Sequence, residues 1–162
     1  MLNPQDTYAL VVGIEKYNPG SYCDNLDGPA SNALEFAEWL LLKGVPKENI
    51  CLFISERDVN KAKVDALNIP KQKATRENIY QAITKTIPSY GNNGELLYIY
   101  WSGHGASNGV GDRRFFYDNG TENLNLNNLL KALKTDIYDL FEQQVLIFDA
   151  CATYYSKKSS KS

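Results

Sequence analysis

The chain has 162 residues, of which 43% are hydrophobic and 22% are charged, and its formal net charge is −2. This length allows one domain with a substantial core, and the mild acidity does not supply the basic face of a nucleic-acid-binding protein. No apolar run reaches the roughly 18 residues of a membrane helix, and the N-terminus lacks the basic and apolar regions of a secretory signal. We therefore expect a cytoplasmic protein without nucleic-acid or membrane partners.

The cysteines and the histidine lack the spacing of a structural zinc site. There are three cysteines and one histidine, with no CxxC pair. The odd cysteine count also disfavours a disulfide framework, which agrees with a reducing compartment.

Apolar runs rich in β-branched residues predict strands, and the first of them has the unbroken hydrophobicity of a strand buried on both faces. Apolar residues at helical spacing predict the helices between the strands. In chain order the predicted elements are a strand at 8–14, a helix from Pro29 to Gly44, a strand at 50–54, a helix from Thr75 to Pro88, a strand at 95–101, a helix from Leu126 to Phe141 and a strand at 144–148.

This alternation predicts an α/β sandwich in which helices cover a mostly parallel sheet of four strands. The polar, lysine-rich residues 55–74 form a long connection, which we interpret as an exposed insertion. Residues 102–123 are rich in Gly, Asn and Asp, and they contain one short predicted hairpin at 114–117.

Two side chains that can perform nucleophilic catalysis follow predicted strands. His104, the only histidine, comes after the third strand, and Cys151 comes after the fourth. The carboxyl ends of parallel strands are where ligands and chemistry gather, and a thiol needs a basic neighbour to form the nucleophilic thiolate. Taken alone, a cysteine that ends an apolar strand is most often a small buried hydrophobic residue. Cys51 is predicted to lie in the core and Cys23 in a loop.

Four sequence blocks resemble those of the caspase-like cysteine peptidases, and the metacaspase-type or bacterial members more than the animal caspases. They are YALVVGIEKY at 8–17, LDGPASNAL at 26–34, YIYWSGHG at 98–105 and FDACAT at 148–153. The resemblance runs from about residue 7 to residue 153. It implies a three-layer caspase-like sandwich, in which residues 1–153 are a large-subunit-like catalytic domain and residues 154–162 are a Ser/Lys-rich tail or intersubunit linker.

The resemblance implies catalytic roles that fit the chemistry. Cys151 would attack a peptide carbonyl to form a thioester, and His104 would act as the base and then protonate the leaving amine. The backbone N–H groups of Gly105 and Cys151 would form the oxyanion hole. The sequence assigns no third group that orients the histidine.

The same resemblance implies cleavage after Arg or Lys. Asp149 matches an acid with which metacaspase-like enzymes hold a basic substrate side chain, whereas Asn32 stands where their second acid is expected. Asp27 lies nearby in sequence and is a candidate to compensate. The arginines with which animal caspases hold Asp are replaced by Leu26 and Ala152.

A partner is also implied. In the family a small subunit follows the nucleophile and extends the sheet, and without it the last predicted strand would leave an apolar edge exposed. We expect a small subunit, or the C-terminal remainder of the same polypeptide, in addition to a protein or peptide substrate. Zymogen processing in the Ser/Lys tail would follow, with Lys157, Lys158 and Lys161 as candidate self-cleavage sites.

No cofactor is expected, with one candidate exception. Asp112, Asp118 and Glu122 are candidate calcium ligands, as in some metacaspases, although a solvated loop is the simpler interpretation. The glycine string at 103–111 has neither the spacing nor the lysine of a phosphate loop. A nucleotide-binding α/β domain is therefore a weak alternative, and a catalytically silent caspase-fold interaction domain is the other.

Overall fold

The computed structural model describes residues 3–90, 94–108, 111–135, 141–151 and 153–154. The strands in chain order are β1 (Thr7–Ile14), β2 (Ile50–Ser55), β3 (Lys71–Gln72), β4 (Gly94–Gly103), β5 (Gly105–Ser107), β6 (Arg113–Phe116), β7 (Asn123–Asn125), β8 (Phe141–Ala150) and β9 (Thr153–Tyr154). The α-helices are α1 (Pro29–Leu42), α2 (Lys61–Ala66), α3 (Arg76–Gln81), α4 (Ile87–Ser89) and α5 (Leu126–Ala132), and a π-helical turn (Ala82–Thr86) joins α3 to α4.

The main sheet has five parallel strands in the order β3-β2-β1-β4-β8. Its centre is β1, in which seven of the eight residues are buried, as expected for a strand covered on both faces. The predicted α/β sandwich with a parallel sheet is thus confirmed.

Helices cover both faces of this sheet and make three layers. On one face, α1 packs its alanines against β1, and Gly13 permits the close approach because an added Cβ would lie 2.6 Å from the Ala33 Cβ. On the other face, side chains from α3, the π-turn, α4 and α5 form a second core with Leu10, Val12 and Trp101. Thr75 caps α3 as predicted, since its hydroxyl accepts a hydrogen bond from the Asn78 N–H.

A second, smaller sheet begins where β4 ends. Its order is β7-β6-β5-β9. The predicted hairpin appears here as β6, which pairs antiparallel with β5 and β7. β9 pairs parallel with β5, so the segments that follow β4 and β8 remain neighbours beyond the main sheet.

The structure corrects three predictions of local structure. Residues 55–74 are not an exposed insertion, because they contain α2 and β3 and bury Val64 and Ile69. β3 pairs with β2 and adds a fifth strand to the predicted four. Phe141, predicted on the third helix, is instead the first residue of β8, and α5 ends at Ala132.

Within the described ranges, every helix falls short of the length and apolarity that a membrane crossing requires.

Candidate functional site

His104 and Cys151 leave the main sheet at the same level. The register of β4 and β8 ends with Ser102 opposite Asp149 and Gly103 opposite Ala150. His104 immediately follows β4, and Cys151 immediately follows β8. Pairing resumes two residues later in the second sheet, where Ala106 lies opposite Thr153. The two candidate catalytic residues therefore lie between two paired stretches of the same two chain segments.

The imidazole of His104 has a backbone partner. Its Nε2 lies 2.8 Å from the carbonyl oxygen of Asp24, in the loop after β1. A carbonyl oxygen only accepts hydrogen bonds, so Nε2 carries the proton and Nδ1 is the basic nitrogen of the neutral ring. Asp24 thus supplies the orienting group that the sequence did not reveal.

The main chain of His104 is held by the same loop. Its N–H donates a 2.8 Å hydrogen bond to the hydroxyl of Tyr17, and the two rings are 5.0 Å apart between centroids. Tyr17 is 5% exposed and belongs to the core. Burial raises the pKa of this phenol, so the hydroxyl remains neutral.

The three cysteines differ in exposure. Cys151 is exposed, whereas Cys23 and Cys51 are half-buried. Burial raises the pKa of the Cys23 thiol to about 11, and the charge of Asp24 adds to this rise. Burial also raises the pKa of Cys51. Both thiols are therefore poor sources of thiolate at neutral pH, which leaves Cys151 as the best candidate nucleophile of the three.

Gly105 brings the backbone of β5 against the nucleophile segment. A Cβ added at this position would collide with the carbonyl oxygen of Cys151 and would lie 3.0 Å from the Cβ of Ala150. Only glycine fits this approach without displacing main-chain atoms. The structure thus brings together the two residues predicted to form the oxyanion hole, although the hole itself remains a prediction.

Asp149 is exposed at the end of β8, and its Oδ2 accepts two hydrogen bonds. One comes from Ser102 Oγ at 2.9 Å and the other from Asn32 Nδ2 at 3.0 Å. Asn32 lies in the first turn of α1, so the predicted substrate-binding residues Asp149 and Asn32 are in contact. Asp27 forms an ion pair with Arg57.

The three candidate calcium ligands bind other groups. Asp112 accepts a hydrogen bond from Asn127, and Glu122 pairs with Arg76. Asp118 accepts one from Ser55 at 3.4 Å, and burial raises the pKa of its carboxyl. In the part of the chain that the structure describes, no three His, Cys, Asp or Glu residues lie close enough together to hold a metal ion.

Sequence reasoning missed the role of Glu15, which follows the first predicted strand. Glu15 is 0% exposed. Its Oε1 accepts from the N–H groups of Gly28 and Ala30, and its Oε2 accepts from the Arg57 N–H and the Asn60 amide. This carboxylate therefore ties the start of α1 to the loop after β2. A single acid after an apolar strand gives no sequence signal for such a role.

Two comparisons with known proteins bear on this arrangement. A profile of the caspase domain family of peptidases matches residues 6–162. A probable protease of a Desulfuromonadales bacterium is 29% identical over 155 residues, which are 89% of this chain and 18% of that protein. The chain thus spans less than a fifth of the length of this curated relative.

Proposed function

The chain belongs to the caspase domain family of peptidases, and we propose that it carries the catalytic dyad of a cysteine endopeptidase, with Cys151 as the nucleophile and His104 as the base. The observation that carries the proposal is the register of β4 and β8, which brings both residues to one edge of the sheet. The exposure of Cys151 supports it, because a nucleophile must reach its substrate.

The reaction would proceed in two steps. The Cys151 sulfur attacks the peptide carbonyl carbon, a C–S bond forms, and the C–N bond breaks as the histidine delivers a proton to the leaving amine. Water then attacks the thioester, and the thiol is released. The N–H groups of Gly105 and Cys151 would stabilise the oxyanion in both steps, and each such donor is typically worth about 2.7–4 kcal/mol.

The orientation of His104 supports its role as the base. With Nε2 bonded to the Asp24 carbonyl, Nδ1 is the nitrogen that accepts the thiol proton.

We propose that the site around Asp149 receives an Arg or Lys side chain of the substrate. Asp149 is exposed and carries the charge, while Ser102 and Asn32 hold its carboxylate by hydrogen bonds. Charge-assisted hydrogen bonds of this kind are worth about 1.5–3 kcal/mol each. Asp27 would contribute less to substrate binding, because its carboxylate is already paired with Arg57.

A further part of the polypeptide, or a small subunit, would complete the enzyme. β8 lies at the end of the main sheet, and Val145 and Ile147 on it are each 37% exposed. An apolar edge strand of ten residues is normally covered by another segment. Processing would occur in the Ser/Lys tail, whose candidate sites Lys157, Lys158 and Lys161 lie outside the described residues.

The dyad is tested by labelling the full-length gene product with a peptidyl electrophile that carries Arg or Lys next to the reactive group. We expect modification at Cys151 that is lost in His104→Ala and kept in Cys23→Ser, the matched control. If the complete protein is not labelled, the proposal is wrong and the catalytically silent interaction domain is the better interpretation.

Specificity is tested with fluorogenic peptides that carry Arg, Lys or Asp at the cleavage position. We expect turnover of the Arg and Lys peptides only. Asp149→Asn should raise their KM about 10-fold to 100-fold, which corresponds to one lost charge-assisted hydrogen bond, and Asp27→Asn should change it less than about 2-fold. Activity on the Asp peptide alone would overturn the basic preference.

Self-processing is tested by intact mass of the full-length product with and without Cys151→Ala. Cleavage in the wild type alone is the expected result. Equal cleavage of both forms would show that another protease is responsible.

A further inference from the structure

We infer that Tyr17 and Asn25 are positioning residues that align His104 for catalysis, an inference that rests on the proposed function. Neither residue takes part in the proposed reaction itself. Both act through hydrogen bonds that fix the loop between β1 and α1 against the histidine, one at its main chain and one next to the group that holds its ring.

The main chain of His104 lies in a gap between two paired stretches of strand. The β4–β8 register ends one residue before it, and β5 begins one residue after it. A backbone N–H at such a gap needs a partner outside the sheet. The Tyr17 hydroxyl is that partner, at 2.8 Å.

The side chain of Tyr17 has little room to move. The Tyr17 ring is almost fully buried in the core and is packed with residues of the main sheet. Its hydroxyl also lies 3.0 Å from the position that a Cβ on Gly103 would occupy. A phenol held this tightly fixes where its oxygen lies, and therefore fixes where the His104 N–H must point.

Hydrogen bonds within the loop link Tyr17 to the group that holds the imidazole. The Tyr17 N–H donates a 2.8 Å hydrogen bond to Oδ1 of Asn25, and the residue before Asn25 is Asp24, whose carbonyl holds His104 Nε2. The next residue, Leu26, donates its N–H to the Glu15 carbonyl at 2.8 Å. Both contacts therefore anchor the loop at the two residues that immediately follow the group that orients the ring.

These contacts hold His104 at two points from a single loop. Displacing a catalytic group by about 1 Å can cost about 100-fold in rate, so a loop that fixes both the backbone and the ring affects kcat directly. The carboxylate of Asp149, which is proposed to bind the substrate, is held by Ser102 and Asn32 instead. Loss of the loop contacts should therefore lower kcat more than it raises KM.

The test compares Tyr17→Phe with Tyr90→Phe in the full-length enzyme, with peptides of basic specificity. Both changes remove only a hydroxyl. The Tyr90 hydroxyl donates to the Glu48 carbonyl at 3.2 Å near the start of β2, at the opposite end of the sheet. We expect Tyr17→Phe to lower kcat about 10-fold to 100-fold with KM within about 2-fold, and Tyr90→Phe to leave both within about 2-fold. Melting temperatures are measured in parallel.

Equal kcat values for the two phenylalanine variants would overturn the inference, because Tyr17 would then contribute to folding alone. If Tyr17→Phe does not fold, a second pair of variants tests the inference. Asn25 is exposed, so Asn25→Ala should fold and lower kcat, whereas Asn25→Asp keeps the acceptor oxygen and should restore it. An Asn25→Ala enzyme with wild-type kcat would also overturn the inference.

The outcomes separate the two proposals. An active wild type with unaffected Tyr17 and Asn25 variants contradicts only the positioning role. A complete wild-type protein that neither cleaves peptides nor is labelled at Cys151 contradicts the proposed function, and the positioning role falls with it.

Discussion

The buried carboxylate of Glu15 allows a prediction that does not depend on catalysis. Glu15→Gln preserves the shape of the side chain but keeps only one of its two acceptor oxygens. Each oxygen now accepts two hydrogen bonds, Oε1 from Gly28 and Ala30 at 3.2 Å each, and Oε2 from Arg57 at 3.2 Å and Asn60 at 2.8 Å. Whichever way the amide is oriented, two donors will face an NH₂ group.

The expected loss of stability follows from those two donors. A buried donor without an acceptor costs about 1–3 kcal/mol, and the lower half of that range applies to Arg57 and Asn60 because both are only half-buried. We therefore expect Glu15→Gln to lower the free energy of unfolding by about 2–4 kcal/mol. For a chain of this size the melting temperature should fall by about 5–15 °C. Glu15→Ala removes all four acceptor contacts and should cost more.

Urea denaturation followed by tryptophan fluorescence measures this change, since Trp101 lies in the core. Glu38→Gln is the matched control, because Glu38 is an exposed glutamate on α1 and its substitution should change stability by less than about 0.5 kcal/mol. If Glu15→Gln is as stable as Glu38→Gln, then the carboxylate does not hold these loops together and the reasoning is refuted.

Two further substitutions test the nucleophile segment and the burial of an acid. Gly105→Ala should lower kcat/KM at least about 10-fold, because the added Cβ would displace the Cys151 backbone. The control is Gly94→Ala, whose Cβ would collide with Phe141 at the other end of the sheet and should lower only the melting temperature. Equal kcat/KM values for the two variants would contradict this prediction. Asp118→Asn should raise the melting temperature at neutral pH. Burial raises the pKa of Asp118 above its ordinary 3.8. Protonation of Asp118 therefore stabilises the fold fully below pH 3.8 and progressively less as the pH rises through the folded pKa. An increase in the melting temperature of Asp118→Asn that persists at about pH 3 would contradict this prediction.

Most of the main sheet could be predicted because the local composition of its strands is strongly apolar. β1 and β4 are long apolar runs whose residues pack against both helical layers, so hydrophobicity alone marks them. β3 has no such signal. Lys71 and Gln72 are polar, and they become a strand only because β2 has an unpaired edge beside them. Pairing of this kind is a tertiary effect that propensity does not report.

At Phe141 a local signal is present but predicts the wrong element, a helix instead of a strand. Phe141 continues a run of apolar residues at helical spacing from Leu126, so periodicity assigns it to the helix. In the structure it begins β8, and its ring fills the space left by Gly94 on the neighbouring strand. A single aromatic residue fits either a helical face or a strand end, and the partner that decides between them is more than forty positions away.

The candidate site divides in the same way. The chemistry of their side chains and their positions after strands predict His104 and Cys151 as candidates, and the structure brings both to one edge of the sheet. The contacts made by Asp24 and Tyr17 could not be predicted, because one is a backbone carbonyl that any residue would provide and the other is a hydroxyl whose ring belongs to the core.

The loop between β1 and α1 makes the contacts that hold the histidine of the proposed dyad. β1 is the central strand, so the loop that leaves its carboxyl end can reach β2 on one side and β4 on the other. It uses Glu15 toward β2 and Tyr17 with Asp24 toward His104. Because Glu15 binds the start of α1 as well, the same loop also anchors the helix that carries Asn32 to Asp149. Substitutions in this loop should therefore alter catalysis even where they touch neither Cys151 nor the substrate.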